Sequence, residues 1–244
     1  MLFHQFIGNL SAKKTIVFIH QGLGCSAMWD WYPKQLCESL NVRGLLFDRN
    51  GFGKSGEFVP ERDNNFLHRD THELKALIDE VIDTDQELML YGHSEGGTIA
   101  LLYAAYYPQT IKWVITEAAH AFVEESTIRG IQDAIRPFEE GKLNGLEKYH
   151  GAKYKDVFMA WHDIWLNPDF KSWNILKELE NISIPVLLMH GCDDQYGSVQ
   201  QVKKIAQVLK GKTEEHLITD CGHLPFKEQT QFVQQTVEDF IHGI

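Results

Sequence analysis

A serine bracketed by glycines, in the stretch LMLYGHSEGGTIA at residues 88–100, constrains the fold of this 244-residue chain more than any other segment. The apolar residues before the serine are typical of a strand, and the small apolar residues after it are typical of a helix. Where a strand turns directly into a helix, side chains two positions before and two positions after the serine would collide. Glycine at Gly92 and Gly96 removes this collision, and we expect Gly97 to let the helix pack closely on the sheet.

Short apolar segments that end in turns recur along the rest of the chain. Their hydrophobicity is continuous rather than alternating, which favours strands covered on both faces, as in a parallel sheet. Amphipathic helical patterns lie between them, for example at residues 68–82 and 198–210. This alternation, with right-handed crossovers, predicts a doubly wound, mostly parallel α/β sheet. The predicted strands lie in TIVFIHQG from Thr15, RGLLFDRNG from Arg43, ELMLYGH from Glu87, IKWVITEAA from Ile111, PVLLMHG from Pro185 and EEHLITD from Glu214.

The alternation of strands and helices breaks between residues 119 and 179. Apolar and aromatic residues recur there at helical spacing with no strand pattern between them. We interpret residues 119–179 as a helical cap inserted within one domain that spans residues 1–244, a length that suits a single large α/β unit. Trp161 and Trp165 lie one helical turn apart and are candidates to roof an apolar pocket, although aromatic residues at this spacing are also common in a plain core.

Composition excludes several classes of partner. The formal net charge is −11, and no local cluster of Lys and Arg offsets it, so neither a nucleic acid nor an anionic membrane is expected to bind. No secretory leader and no apolar stretch of about twenty residues is present, which predicts a cytoplasmic protein. The four cysteines are dispersed without a C-x-x-C pair, which argues against a zinc site and favours free thiols. Pairing of Cys192 with Cys221 is the less favoured alternative.

The segment GHSEGG resembles the nucleophile elbow of the α/β-hydrolase family, and the resemblance extends across nearly the whole chain. Further motifs that carry it are IHQGLGCSAMW after the first long predicted strand, DRNGFGKSG after the next, and GCDDQYG and CGHLPF near the carboxyl end. The resemblance implies an α/β-hydrolase fold and a serine hydrolase that needs neither metal nor cofactor. The chain departs from the family in shortened amino-terminal strands and in the step His20-Gln21-Gly22, where His-Gly is usual.

The resemblance also implies a catalytic triad. A serine hydroxyl becomes a good nucleophile when a histidine takes its proton and a carboxylate holds that histidine. In this fold the three residues follow the order serine, acid, histidine, and Ser94, Asp194 and His223 fit that order, each just beyond a predicted strand. Two alternatives for the acid remain open: the adjacent Asp193, and Glu117 after the strand IKWVIT.

An oxyanion hole needs two backbone N–H donors aimed at the developing negative charge. Glu95, directly after the serine, supplies the first, and the family alignment places the second at Gly22, with Leu23 as the alternative. Asp48 and Arg49 resemble a family motif that braces neighbouring loops. The candidate substrate-binding residues are Leu23, Glu117, His120, Trp161 and Trp165.

These residues predict an enzyme that acts on a small-molecule substrate, a small and largely apolar ester or lactone, through an acyl-enzyme. One alternative is a ligand sensor of the same fold that retains the triad and signals through a protein partner, and another is a carbon–carbon bond hydrolase. Arg129 and Arg136 would bind a substrate carboxylate if they pointed inward, although solvated helix faces are the more common place for such residues. The sequence carries no signal for an oligomeric state.

Overall fold

A twisted sheet runs through the middle of the molecule in the computed structural model, which describes residues 2–56 and 62–243. Within these residues the sheet has seven strands in the order β1-β3-β2-β4-β5-β6-β7. All neighbouring strands are parallel except β1, which pairs antiparallel with β3. The strands are β1 His4–Gly8, β2 Lys14–Ile19, β3 Arg43–Phe47, β4 Glu87–His93, β5 Trp113–Glu117, β6 Val186–Gly191 and β7 Thr213–Ile218.

Helices cover both faces of the sheet, so the prediction of a doubly wound, mostly parallel α/β fold is confirmed. Alternate residues of each strand point to opposite faces: Val17 and Ile19 of β2 belong to one apolar cluster, and Ile16 and Phe18 belong to the other. The helices are α1 Tyr32–Ser39, α2 Phe66–Val81, α3 Glu95–Tyr106, α4 Glu125–Glu139, α5 Glu147–His150, α6 Tyr154–Leu166, α7 Leu176–Leu179, α8 Gln200–Val208, α9 Pro225–Glu228 and α10 Thr230–His242. Residues of α1 and α10 pack with the second cluster, and residues of α2, α3 and α8 pack with the first.

Strand β1 was not predicted from the sequence. Its five residues, HQFIG, are half-buried or exposed, because β1 lies at the edge of the sheet and contacts only β3. A short edge strand with polar residues lacks the continuous apolar run that marks the inner strands. The signal that marks the five inner strands, β2 to β6, was therefore absent here.

The chain between β5 and β6 contains helices α4 to α7 and 3-10 turns. Its two ends are joined by an antiparallel bridge between Phe122 and Asn174, supported by hydrogen bonds from Val123 N to Trp173 O (3.2 Å) and from Ile175 N to Ala121 O (2.8 Å). Helices α4 and α6 pack together through the stacked rings of Phe138 and Phe158, whose centroids are 3.8 Å apart. The limits of the cap at residues 119 and 179 stay a prediction.

The four cysteines are free thiols, and Cys192 is exposed while Cys221 is buried. No helix in the ranges 2–56 and 62–243 is both long enough and apolar enough to cross a bilayer. The cytoplasmic location expected from the sequence stays a prediction.

The backbone reversal between β4 and α3 leaves no room for side chains at the two flanking glycines. A Cβ atom on Gly92 would lie 2.1 Å from the Gly96 carbonyl oxygen, and one on Gly96 would lie 2.0 Å from the Ile19 carbonyl oxygen. A Cβ atom on Gly97 would lie 2.8 Å from the Cβ of Ala119. The steric reason inferred from the sequence for these glycines is thus found in the packing of α3 on β2 and β4.

We predict that Gly96→Ala destabilises the protein by about 3 kcal/mol or more, because the obstructing atoms are backbone and cannot rotate away. Gly145→Ala is the matched control, since nothing lies within 4 Å of a Cβ atom at that position. The control is expected to stay within about 0.5 kcal/mol of wild type. Urea unfolding of the three proteins measures the difference, and equal unfolding free energies for the two variants would contradict the packing argument.

Candidate active site

Ser94 lies at the junction of β4 and α3 in a strained backbone conformation. Its φ of 56° and ψ of −120° are rarely adopted by residues other than glycine. The conformation is held by hydrogen bonds from Ser94 N to Glu117 O (2.8 Å) and from Thr98 N to Ser94 O (3.1 Å). Neighbouring strand and helix therefore fix the serine where α3 begins, with the free backbone N–H groups of the helix start beside it.

His223 and Asp194 form a hydrogen-bonded pair. His223 Nδ1 lies 2.8 Å from Asp194 Oδ2, and the Asp194 side chain is fully buried while His223 keeps 13% of its side chain exposed. The other carboxylate oxygen accepts from Tyr196 N at 2.8 Å. Burial opposes ionisation of Asp194, but the charge and hydrogen bond of His223 prevail and hold the pKa of this carboxyl well below its ordinary value. Asp193 is exposed and takes no part in the pair.

Ser94 and His223 line the same cavity, which has a volume of about 80 Å³. In the part of the chain that the structure describes, no hydrogen bond joins the Ser94 hydroxyl to the His223 ring. The remaining walls are mostly apolar and aromatic. They are formed by Gln21, Gly22, Leu23, Glu95, His120, Thr127, Ile131, Trp161, Trp165 and Tyr196.

The predicted oxyanion-hole residues Gly22 and Glu95, together with the alternative Leu23, lie on this cavity wall. A Cβ atom on residue 22 would lie 2.8 Å from Glu95 Oε1 and 2.7 Å from Trp161 Cδ1, so any other residue would require these two side chains to move. Gly22 N donates to no protein acceptor among the described residues. It is therefore available to a ligand in the cavity.

Three of the other predicted binding residues also lie on the cavity wall: His120, Trp161 and Trp165. His120 Nε2 donates to the Tyr196 carbonyl (3.1 Å), because a carbonyl oxygen can only accept. Burial, followed by the nearby His223, lowers the pKa of His120 to about 4, so its ring is neutral at physiological pH. Trp165 Nε1 donates to Glu95 Oε1 at 2.9 Å.

Glu117 requires a correction. Its carboxylate contacts the Tyr91 hydroxyl and Phe226 N (2.9 Å) rather than the cavity or His223. The reason is strand alternation: Glu117 points to the same face of β5 as Ile115, which belongs to the apolar cluster beneath α10. Burial raises the pKa of Glu117 to about 7. Neither the alternative triad acid nor a pocket-lining role fits this position.

Sequence reasoning missed four residues of the cavity wall: Gln21, Thr127, Ile131 and Tyr196. Thr127 and Ile131 lie four residues apart on one face of α4, a spacing that the sequence contains but that does not reveal which surface the helix covers. Tyr196 follows Asp194 by two residues, and its ring lies 4.8 Å from the His223 ring. The position of Tyr196 within the motif GCDDQYG, so near the predicted triad acid, was therefore a signal in the sequence for its place at the site.

Two further histidines, His93 and His20, make hydrogen bonds to backbone carbonyls next to the site. His93 Nε2 donates to the His223 carbonyl at 2.7 Å and so fixes the loop that carries His223. His20 Nδ1 donates to the Gln21 carbonyl at 2.9 Å. The Asp48 carboxylate accepts from the backbone N–H groups of Ser26 and Lys54, both at 2.7 Å, which is the loop-bracing role expected of it.

Comparison with known proteins finds similarity along most of the chain. A model of the alpha/beta hydrolase family matches residues 16–235. Serine hydrolase BPHL of Mus musculus is 28% identical over 251 aligned positions, covering 98% of this chain and 82% of that protein. Proline iminopeptidase of Lactobacillus crispatus is 22% identical over 269 positions, covering 93% and 90%. Among solved structures, the enol-lactonase from Burkholderia xenovorans LB400 has a TM-score of 0.77 at 18% identity, covering 99% of this chain and 96% of that chain.

The backbone strain at Ser94 predicts an unusual stability ranking. Ser94→Gly and Ser94→Ala both remove the hydroxyl, but only glycine adopts a positive φ without a steric penalty. Relief of about 1–3 kcal/mol of strain outweighs the greater freedom of glycine in the unfolded chain. We expect Ser94→Gly to be more stable than Ser94→Ala by about 1 kcal/mol in urea unfolding. Equal stability, or greater stability of the alanine variant, would show that the turn is unstrained.

The buried carboxyl of Glu117 predicts a pH-dependent stability difference. Its folded pKa of about 7 exceeds the ordinary value of 4.5, so between these values the folded state holds a proton that the unfolded state has lost. Wild-type stability contributed by this group is therefore present below pH 4.5 and falls as pH rises through 7. We expect Glu117→Gln to gain up to about 3 kcal/mol relative to wild type from about pH 5 to about pH 8. Urea unfolding at both pH values measures this change, and a constant difference would contradict it.

Proposed function

This chain belongs to the alpha/beta hydrolase family and is a hydrolase, and we propose that it cleaves small, neutral, largely apolar esters or lactones through an acyl-enzyme on Ser94. One observation carries the proposal: a single small cavity is lined by Ser94, by His223 with its Asp194 partner at 2.8 Å, and by two segments with backbone N–H donors. These are the parts that acyl transfer by a serine requires.

The proposed mechanism follows from the hydrogen-bond donors. Asp194 accepts the Nδ1 proton of His223, which leaves the Nε2 lone pair free to take a proton from Ser94. The reaction requires Ser94 Oγ to come within hydrogen-bonding distance of His223 Nε2. Attack on the carbonyl carbon gives a tetrahedral oxyanion that the N–H groups of Gly22 and Glu95 stabilise. His223 then protonates the leaving alkoxide, and a water molecule activated by the same ring releases the acid and frees Ser94.

The size and charge of the cavity support a small, neutral acyl group. A volume of about 80 Å³ admits only a few non-hydrogen atoms beyond the reacting carbonyl. Glu95 is the one carboxylate on the described cavity wall, and Arg49 (2.9 Å) and Arg62 (3.5 Å) balance its charge. His120 is neutral because burial lowers its pKa to about 4.

Charged acyl groups fit this cavity poorly. The substrate of a proline iminopeptidase carries a cationic amine, which would need an unbalanced carboxylate on the wall. A substrate carboxylate would need an inward-facing cation, but Arg129 and Arg136 have side chains 70% and 84% exposed, and each pairs with a glutamate four residues away in sequence. An ester or lactone with a short hydrocarbon acyl part needs neither partner.

The proposal is tested with short-chain p-nitrophenyl esters and a fluorophosphonate probe followed by peptide mapping. We expect multiple turnovers of the acetate and butyrate esters, loss of activity in Ser94→Ala, and labelling of Ser94. Asp194→Asn is expected to lower kcat by about 10³-fold to 10⁴-fold, because the amide favours the wrong tautomer of His223. The neighbouring Asp193→Asn, which removes an exposed carboxylate, is the matched control and should stay within a few-fold of wild type.

Three results would contradict the proposal. Labelling of another residue, or none in folded protein, would reject the assigned nucleophile. A single slow turnover combined with ligand-dependent stabilisation would favour the sensor alternative. Efficient hydrolysis of proline p-nitroanilide would reject the neutral substrate class.

A further inference from the structure

One buried guanidinium contacts both segments of the proposed oxyanion hole. Arg49 Nη2 donates to the Gln21 carbonyl and to Glu95 Oε2, in each case at 2.9 Å. Its other terminal nitrogen, Nη1, donates to Asp70 Oδ2 at 2.7 Å, and only 2% of the side chain is exposed. The two hydrogens of Nη2 thus link the loop after β2 directly to the first residue of α3.

The Gln21 carbonyl fixes the direction of the Gly22 N–H. Three donors converge on this oxygen: Arg49 Nη2 (2.9 Å), His20 Nδ1 (2.9 Å) and Gly24 N (3.0 Å). The Gln21 carbonyl and the Gly22 N–H belong to one planar trans peptide, so the two bonds point in opposite directions. Holding the oxygen on the Arg49 side therefore directs the N–H away from Arg49.

The Glu95 side chain fixes the second segment. Its carboxylate accepts from Arg49 Nη2 (2.9 Å) and Trp165 Nε1 (2.9 Å), and Oε1 packs against the Gly22 Cα, 2.8 Å from where a Cβ would lie. The N–H of the same residue is the other proposed donor. A single ion pair therefore constrains both the peptide of Gly22 and the residue that carries the Glu95 N–H.

We propose that the Arg49–Glu95 ion pair sets the spacing and direction of the two oxyanion-hole donors, which makes Arg49 and Glu95 side chains positioning groups for the reaction. This inference rests on the hydrolase mechanism proposed above. The pair acts through the Gly22 and Glu95 N–H groups, because Arg49 Nη2 and both Glu95 carboxylate oxygens are already engaged in hydrogen bonds. Loss of this ion pair displaces the two N–H donors but does not remove them.

The test compares an oxoester with its thionoester, in which sulfur replaces the carbonyl oxygen. Sulfur accepts hydrogen bonds weakly, so correctly placed N–H donors accelerate the reaction of the oxoester more than that of the thionoester. When the donors are displaced, this difference in rate becomes smaller. We expect Arg49→Lys to lower kcat for the oxoester about tenfold to a hundredfold with little change in KM, and to lower the ratio of oxoester to thionoester kcat. Lysine keeps the charge but lacks the rigid planar guanidinium, so its ammonium is not held in one place toward both the Gln21 carbonyl and Glu95.

Asp70→Asn is the matched control. It removes a charged partner of the same guanidinium but leaves the Nη2 contacts to Gln21 and Glu95 in place. The kcat ratio of this variant should equal that of wild type, even if its melting temperature falls. A ratio lowered equally in Asp70→Asn and Arg49→Lys would indicate a general loss of structure and overturn the inference.

Glu95→Gln is the second variant, and it also keeps the inference testable if Arg49→Lys does not fold. A single amide oxygen cannot serve both Arg49 and Trp165, so the ratio should fall here too. Removal of a negative charge near the oxyanion would by itself raise kcat, so a lower kcat cannot be a charge effect. An unchanged ratio in this variant overturns the inference, whereas absence of turnover in wild type would reject the proposed function on which it rests.

Discussion

The close approach of three backbone segments at the start of α3 is the constraint on which the rest of the site depends. Gly96 lies so near the Ile19 carbonyl that a single methyl group would not fit between them. This contact fixes the end of β2 against the end of β4, and the loop after β2 carries Gly22 while the turn after β4 carries Ser94. Rigid elements thus hold the candidate nucleophile and the candidate donors, which gives catalytic geometry better than flexible loops do.

The charges around the cavity are numerous but balanced. Two arginines, Arg49 and Arg62, lie beside two carboxylates, Glu95 and Asp70, and all four side chains are largely buried. Such a cluster is costly to desolvate unless every charge is paired. Because these charges are paired within a few ångströms, the cavity wall that would face an acyl group is mostly apolar and aromatic.

Sequence patterns predicted the sheet and the candidate site to different depths. Continuous apolar runs predicted the five inner strands, β2 to β6, and the steric needs of Gly92 and Gly96 marked the turn. The parallel edge strand β7 was predicted from the segment EEHLITD. The edge strand β1 was not predicted, because it is only half-buried and lacks a continuous apolar run. The prediction that Glu117 lines the pocket was based on its position at the end of a strand. Position at a strand end does not determine which face of the sheet a side chain points to, and Glu117 points away from the cavity. The Arg49–Glu95 pair joins residues 46 positions apart, and no local periodicity encodes such a contact.

The bridge between Phe122 and Asn174 draws the two ends of the inserted helices together above the sheet. Because the two ends of this segment lie side by side, closing it into a loop costs conformational entropy. That entropic cost rises only slowly with the number of residues between the two ends. We therefore expect changes of length within this segment to alter the cavity residues that it contributes, Thr127, Ile131, Trp161 and Trp165, while Ser94, Asp194 and His223, which lie outside the segment, keep their positions.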